Sequence, residues 1–195
     1  LSMEWILTAR GDAELLRQAE VLALRAMEEN EQLAAAYKEL GVSRLYLGKI
    51  DESVEALDSA EKISPNYADI LSSYADSLVH ASRPEAALAK IKAAIEMNPL
   101  SPDNYLWIAA SASFTNADYH QALEFISKMK LSSPADRLAA ACWAMIGDKV
   151  RARNCRARVL KDNPGFDFEK WLEMIPLKEP WHREIYREGL TKAGF

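Results

Sequence analysis

Apolar residues recur with helical spacing along most of the chain, and each such stretch stops shortly before a proline. Pro65, Pro99, Pro134 and Pro164 mark four stops, separated by 34, 35 and 30 residues. A residue preceding proline is pushed out of the helical region, so each proline marks the far side of a helix end. The pattern predicts helix pairs over about 33–63, 67–97, 102–131 and 134–162, with a leading pair over about 2–30.

A 34-residue unit with Pro65 at position 32 fixes the register of every other position. Position 8, where the first helix of a pair meets the second, is Gly41, Ala75, Ala110 and Ala140; position 20, on the second helix, is Ser53, Ala87, Ala122 and Ala152. All eight are small. Gly, Ala and Ser make up 53 of the 195 residues, so chance yields this agreement roughly 3 times in 100,000. An irregular helical bundle, the competing reading, leaves the agreement unexplained. Position 24, a large apolar plug, is Leu57, Ile91 and Ile126 but Arg156 in the last unit. Position 27 is Ala60 and Ala94, then Met129 and Val159, so the units degrade toward the C-terminus.

Ser82 with Pro84, Ser101 with Pro102, and Ser133 with Pro134 read as helix starts, because Ser caps free N–H groups and Pro fits the first turn. Asp12, Asp51, Asp118 and Asp148 suit the starts of the other helices, where a carboxylate meets the positive end of the helix dipole. Tyr37, Leu40, Gly41, Gly48, Leu57, Ala60 and Pro65 resemble the tetratricopeptide repeat, over most of residues 12–164. The resemblance implies an all-α fold, an α-α superhelix in which antiparallel helix pairs stack as a right-handed solenoid. Residues 1–164 are then an array of about five helix pairs, the first and last degenerate, and 165–195 are capping helices. Phe166, Phe168, Trp171, Leu172 and Ile175 form the apolar stripe of that cap, and Trp181, Ile185, Leu190 and Phe195 that of a final amphipathic helix.

Composition narrows the function. The seven glycines are never clustered, so G-x-G-x-x-G and G-x-x-x-x-G-K-[ST] loops are absent and mononucleotide chemistry of those kinds is not expected. The net charge of −5 is unevenly spread: residues 1–65 hold 13 acids against 7 bases, and residues 66–195 hold 16 against 17. A nucleic-acid partner is therefore not expected. Cys142 and Cys155 lack C-x-x-C spacing and read as reduced thiols of a cytoplasmic protein. No apolar run approaches the roughly 18 residues of a membrane span, so no membrane partner is expected. The chain begins with Leu1, which points to a fragment of something longer.

Candidate chemistry is sparse. His80, His120 and His182 lie far apart without metal-ligand spacing, and Cys142 sits among Ala, Trp and Met with no nucleophile motif. No metal, no cofactor and no catalytic residue are expected. Lys149, Arg151, Arg153, Arg156, Arg158 and Lys161 form a run of six bases without an acid. Lys149, Arg153 and Arg156 share one helix face, which reads either as a solvated convex surface or as a site for an anionic partner. Arg156 has cap acids such as Glu169 or Glu173 as candidate partners.

The concave face of such an array, lined by first helices, is where proteins of this family hold a peptide. Here the first of those helices supplies Lys38, Val42, Leu45 and Tyr46, and the next Asp69, Ser72, Asp76 and His80. Asn104, Trp107, Ile108, Ser111 and Phe114 follow, then Arg137. Trp107 and Phe114 are suited either to anchor an apolar peptide side chain or to pack on a neighbouring repeat. Family members that clamp a chaperone's C-terminal carboxylate use Lys and Asn on consecutive first helices. Lys38 fits that pattern and Val42, Ser73 and Asp76 do not, so chaperone-tail capture is not expected.

Two segments carry a narrower resemblance. Asn98 to Trp107, with Tyr119 and Ala122, is similar to the N-P-x-x-P-x-x-Y-x-W repeat of bacterial multidomain regulators. Pro176 to Pro180, followed by Gly189-Leu190-Thr191-Lys192-Ala193-Gly194, resembles the ending of repeat tails on class III adenylate/guanylate cyclases. Similar tails occur behind winged-helix transcription regulators. The resemblance implies a protein-binding, scaffolding or self-associating module that regulates an upstream cyclase or DNA-binding domain, with Phe195 near the native C-terminus; a freestanding assembly or co-chaperone protein is the third reading.

Overall fold

The computed structural model describes residues 13–195, which contain eleven α-helices and no strand. Residues 2–12 of the expected leading pair, and the Asp12 cap, lie outside the described residues. Contacts group the chain into two compact units, one running to Pro99 and the other from Leu100 to Phe195.

The first unit holds α1 (Glu14–Glu29), α2 (Ala34–Tyr46), α3 (Ile50–Ile63), α4 (Ala68–His80) and α5 (Pro84–Met97). Successive helices pack together, and α2 also packs on α4. The second unit holds α6 (Asp103–Thr115), α7 (Tyr119–Ser127), a 3-10 turn (Ser133–Ala135), α8 (Asp136–Ile146), α9 (Lys149–Asp162), α10 (Phe168–Met174) and α11 (Pro180–Ala193). There α11 lies against both α8 and α9, and α10 lies against α11.

All eight small residues at positions 8 and 20 are buried. Gly41 shows why size matters: a Cβ there falls 2.5 Å from Leu57 Cγ, below any real contact distance. Ser53 uses the same closeness, donating a hydrogen bond to the Gly41 carbonyl at 2.7 Å and sharing another with Ser77 at 2.7 Å. Buried hydroxyls therefore stay satisfied inside an apolar seam. The plugs Leu57, Ile91 and Ile126 are buried as well.

The first helix of each described pair ends in one motif. Gly48, Ser82, Ala117 and Gly147 take left-handed φ values of 80°, 59°, 57° and 93°. The residue after each donates its N–H to the carbonyl five residues back: Lys49 to Arg44, Arg83 to Leu78, Asp118 to Ser113 and Asp148 to Trp143. This closure satisfies carbonyls that the helix end leaves open and turns the chain back on itself. The same closure ends α11, where Gly194 has φ 91° and Phe195 donates to Leu190.

The helix starts differ in part from the sequence expectation. Asp118 and Asp148 do cap α7 and α9, accepting from Gln121 N at 3.0 Å and Arg151 N at 2.9 Å. Pro84 opens α5, but the N-cap is Arg83, because Ser82 is consumed by the left-handed turn. Pro102, not Ser101, is the N-cap of α6. Ser133 and Pro134 form the 3-10 turn, so α8 begins two residues later at Asp136.

Candidate protein-interaction surfaces

In the first unit, the helical spacing from Asp76 to His80 brings both side chains over Tyr46 of α2. Tyr46 Oη donates to Asp76 Oδ2 at 3.0 Å, His80 Nε2 lies 3.8 Å from Asp76 Oδ1, and the His80 ring meets the Tyr46 ring edge-on at 6.1 Å. Burial, then the Asp76 carboxylate, push the Tyr46 hydroxyl well above the usual tyrosine range. The phenol is thus a fixed donor to a carboxylate. Lys38 pairs with neighbouring Glu39 at 3.3 Å, and Ser72 is buried.

The second unit carries a denser cluster. Trp107 of α6 and Arg137 of α8 share a narrow cleft with Trp171 of α10 and Tyr186 of α11, above Leu138 and Leu190. The Arg137 guanidinium carbon sits 3.9 Å from the Trp171 ring centre and 5.7 Å from that of Phe166. Burial pulls this guanidinium down to about 10, so it stays cationic near neutrality. Among the described residues no carboxylate pairs with it. Stacking covers one face of the guanidinium and leaves its in-plane N–H edges for an acceptor. The cleft encloses only about 10 Å³, too little for a buried small-molecule ligand, so a partner can engage it only at its outer edge.

Five groove expectations fail on burial: Leu45, Ser72, Ile108, Ser111 and Phe114 are all buried. Phe114 is fully enclosed, 5.5 Å from the Tyr119 ring and 4.9 Å from the Tyr186 ring, so it is a packing residue and not a peptide anchor. Ser111 is buried beneath Thr115, to whose hydroxyl its carbonyl is bonded at 2.9 Å. Asn104 is exposed at the start of α6. Trp171 and Tyr186, the partners of Arg137, escape the sequence reading as site residues. Trp171 reads as part of the apolar stripe of the cap, Tyr186 lies beside the stripe of the last helix, and no local pattern shows that the cap folds back onto α8.

The basic run on α9 divides. Arg151 pairs with Asp148 and covers the Trp143 ring at 4.4 Å, while Arg158 makes a two-bonded pair with buried Asp136 at 2.7 and 2.5 Å. Arg156 does not pair with Glu169, which Arg187 holds through two nitrogens at 2.9 and 3.0 Å. It lies instead over the Phe195 ring at 5.8 Å. Cys142 and Cys155 are buried free thiols, and burial pushes both up in pKa, away from thiolate chemistry. Among the described residues no group of acids, histidines or cysteines could hold a metal, and no helix is long and apolar enough to cross a membrane.

The solved structures similar to this chain decide the fold. A type IV pilus biogenesis factor, PilW, aligns over 99% of this chain and 86% of its own at a TM-score of 0.72 and 18% identity. The chain has a tetratricopeptide-repeat fold. YrrB, described as a TPR protein with an unusual peptide-binding site, aligns over 88% of this chain and 90% of its own, with a TM-score of 0.60 and 16% identity. A tetratricopeptide repeat protein from Parabacteroides merdae aligns over 99% and 81%, with a TM-score of 0.62 and 12% identity. In sequence, a TPR repeat-containing protein of Methanocaldococcus jannaschii, MJ1428, is 24% identical over 157 residues, 78% of this chain. The chain spans only 27% of that relative's length. No protein-family model matches the chain.

Proposed function

We propose that the chain is a non-catalytic protein-interaction module whose second unit holds a peptide by an acidic group at Arg137 and an apolar side chain on Trp107. Proteins of this fold in general mediate protein–protein interaction. The observation that carries the reading is the desolvated Arg137 charge, stacked on Trp171 and left without a carboxylate among the described residues. Burying an uncompensated charge is costly, and a partner's carboxylate offsets that cost. Trp, Tyr and Arg are also the residue types that dominate binding hot spots. Lys38, Tyr46, Asp76 and His80 are a second candidate surface, on the first unit alone.

Selection of peptides from a random library tests this. Enrichment of peptides with an acid beside an apolar residue is expected on the chain, with loss on Arg137→Gln and Trp107→Ala variants that retain their melting transition. Equal enrichment on folded Arg137→Gln contradicts it.

The finer reading places the module on a class III nucleotide cyclase, by the likeness of Pro176–Pro180 and Gly189–Gly194 to the ending of such tails, with Asn98–Trp107 similar to a repeat of bacterial multidomain regulators. A winged-helix regulator and a freestanding assembly or co-chaperone protein are the alternatives. Coding sequence upstream of Leu1 separates them: a cyclase catalytic domain supports the first, and a DNA-binding domain or an adjacent start codon contradicts it.

A further inference from the structure

Peptide binding at Arg137 leaves one feature of the second unit without a role, a cavity between α9 and the last turn of α11. It encloses about 360 Å³, the small end of the ~300–1,000 Å³ typical of ligand sites. Lys149, Arg153, Arg156 and Lys192 surround it over a floor of Ala152 and Ala193. Lys192 is neutralised by Glu188 at 2.5 Å. No side-chain hydrogen bond or ion pair engages Lys149, Arg153 or Arg156 among the described residues. Arg156 Nε is fully buried and has no hydrogen-bond partner.

Not every base of α9 shares this lack of partners. On the same helix, Arg151 and Arg158 each hold an aspartate. Lys149, Arg153 and Arg156 stand four and three residues apart, where like charges repel. Gly194 forms part of the wall in a left-handed conformation, and a Cβ there meets the Arg156 side chain at 3.9 Å, an ordinary contact distance.

We propose that this cavity binds a diphosphate group. Charge sets the number of phosphates. Three cations are uncompensated, a single phosphate group carries about 1.5 to 2 negative charges near neutral pH, and a carboxylate carries one. Two linked phosphates balance the three bases and present enough acceptors for two guanidinium groups and an ammonium at once.

Calorimetric titration of the whole chain with inorganic pyrophosphate at low ionic strength tests the site, with orthophosphate and ADP as second and third ligands. Saturable one-site binding is expected, weakening as salt is added, with orthophosphate at least tenfold weaker. Competition by ADP identifies a nucleotide as a carrier of the group, and binding of pyrophosphate alone identifies the free ion. Arg156→Gln is expected to weaken binding about tenfold or more, the worth of one bond to a charged group. Lys149→Gln combined with Arg153→Gln is expected to do the same, and because both residues are exposed this variant keeps its fold. Arg151→Gln, at a paired base outside the cavity, is expected to change nothing. Absence of saturable binding, equal affinity for orthophosphate, or an Arg151→Gln loss as large as that of the double variant overturns the proposal.

Discussion

Gly48, Ser82, Ala117 and Gly147 occupy the same place in four successive turns and take the same left-handed backbone. A non-glycine residue there costs roughly 1–2 kcal/mol, which glycine avoids. Nothing lies within 4 Å of a Cβ built on Gly48 or Gly147, so their substitution is a pure backbone effect. Gly48→Ala and Gly147→Ala are expected to lower stability by about 1 kcal/mol in urea unfolding, and Ala117→Gly to raise it by up to about 1 kcal/mol, less the added entropy of the unfolded chain. Asp136 supplies a second residue-scale expectation. It is 4% exposed and compensated by Arg158. Arg158→Leu strands a buried carboxylate and is expected to cost about 3 kcal/mol, the low end for a broken buried pair because Arg158 itself reaches solvent. Urea unfolding of this variant beside the parent chain checks it.

At the scale of elements, the final helix completes the second unit. Gly189 lets α11 approach α8 so closely that a Cβ lands 2.9 Å from Ala141 Cβ, and Leu190 and Ala193 are buried. His182 is fully enclosed, bonded to Thr115 at 3.0 Å and stacked on Tyr186. Gly189, Leu190, Ala193 and Gly194 are thus packing and turn positions of this helix. Truncation after Asn163 uncovers Ala141, Phe114 and Thr115, and is expected to give a molten product with helical far-ultraviolet dichroism, lost near-ultraviolet signal and dye binding. An unchanged melting transition contradicts it. The helix pairs were legible because eight small residues keep a fixed register to prolines spaced 30 to 35 residues apart. Helix starts were less so: Ser82 and Ser133 look like caps locally, yet the tertiary turn consumes the first and the 3-10 turn the second.

For the molecule as a whole, the fold was readable and the site only in part. Trp107 and Arg137 stand out as groove residues by register, but what makes Arg137 distinctive is Trp171, 34 residues away in a segment with no repeat period. Phe114 shows the converse, an aromatic at a groove position that the cap encloses through Tyr186. Register assigns faces within an array and is silent on which face a non-repeating cap covers. The central claim, that Arg137 and its aromatic neighbours receive a peptide carboxylate, is tested most directly by following side-chain N–H resonances of Arg137, Trp107 and Trp171 while a selected acidic peptide is added. Saturable shifts of all three, lost when the peptide's acid is replaced by its amide, are expected. Binding that leaves these resonances unmoved, or that survives the amide replacement undiminished, contradicts the claim.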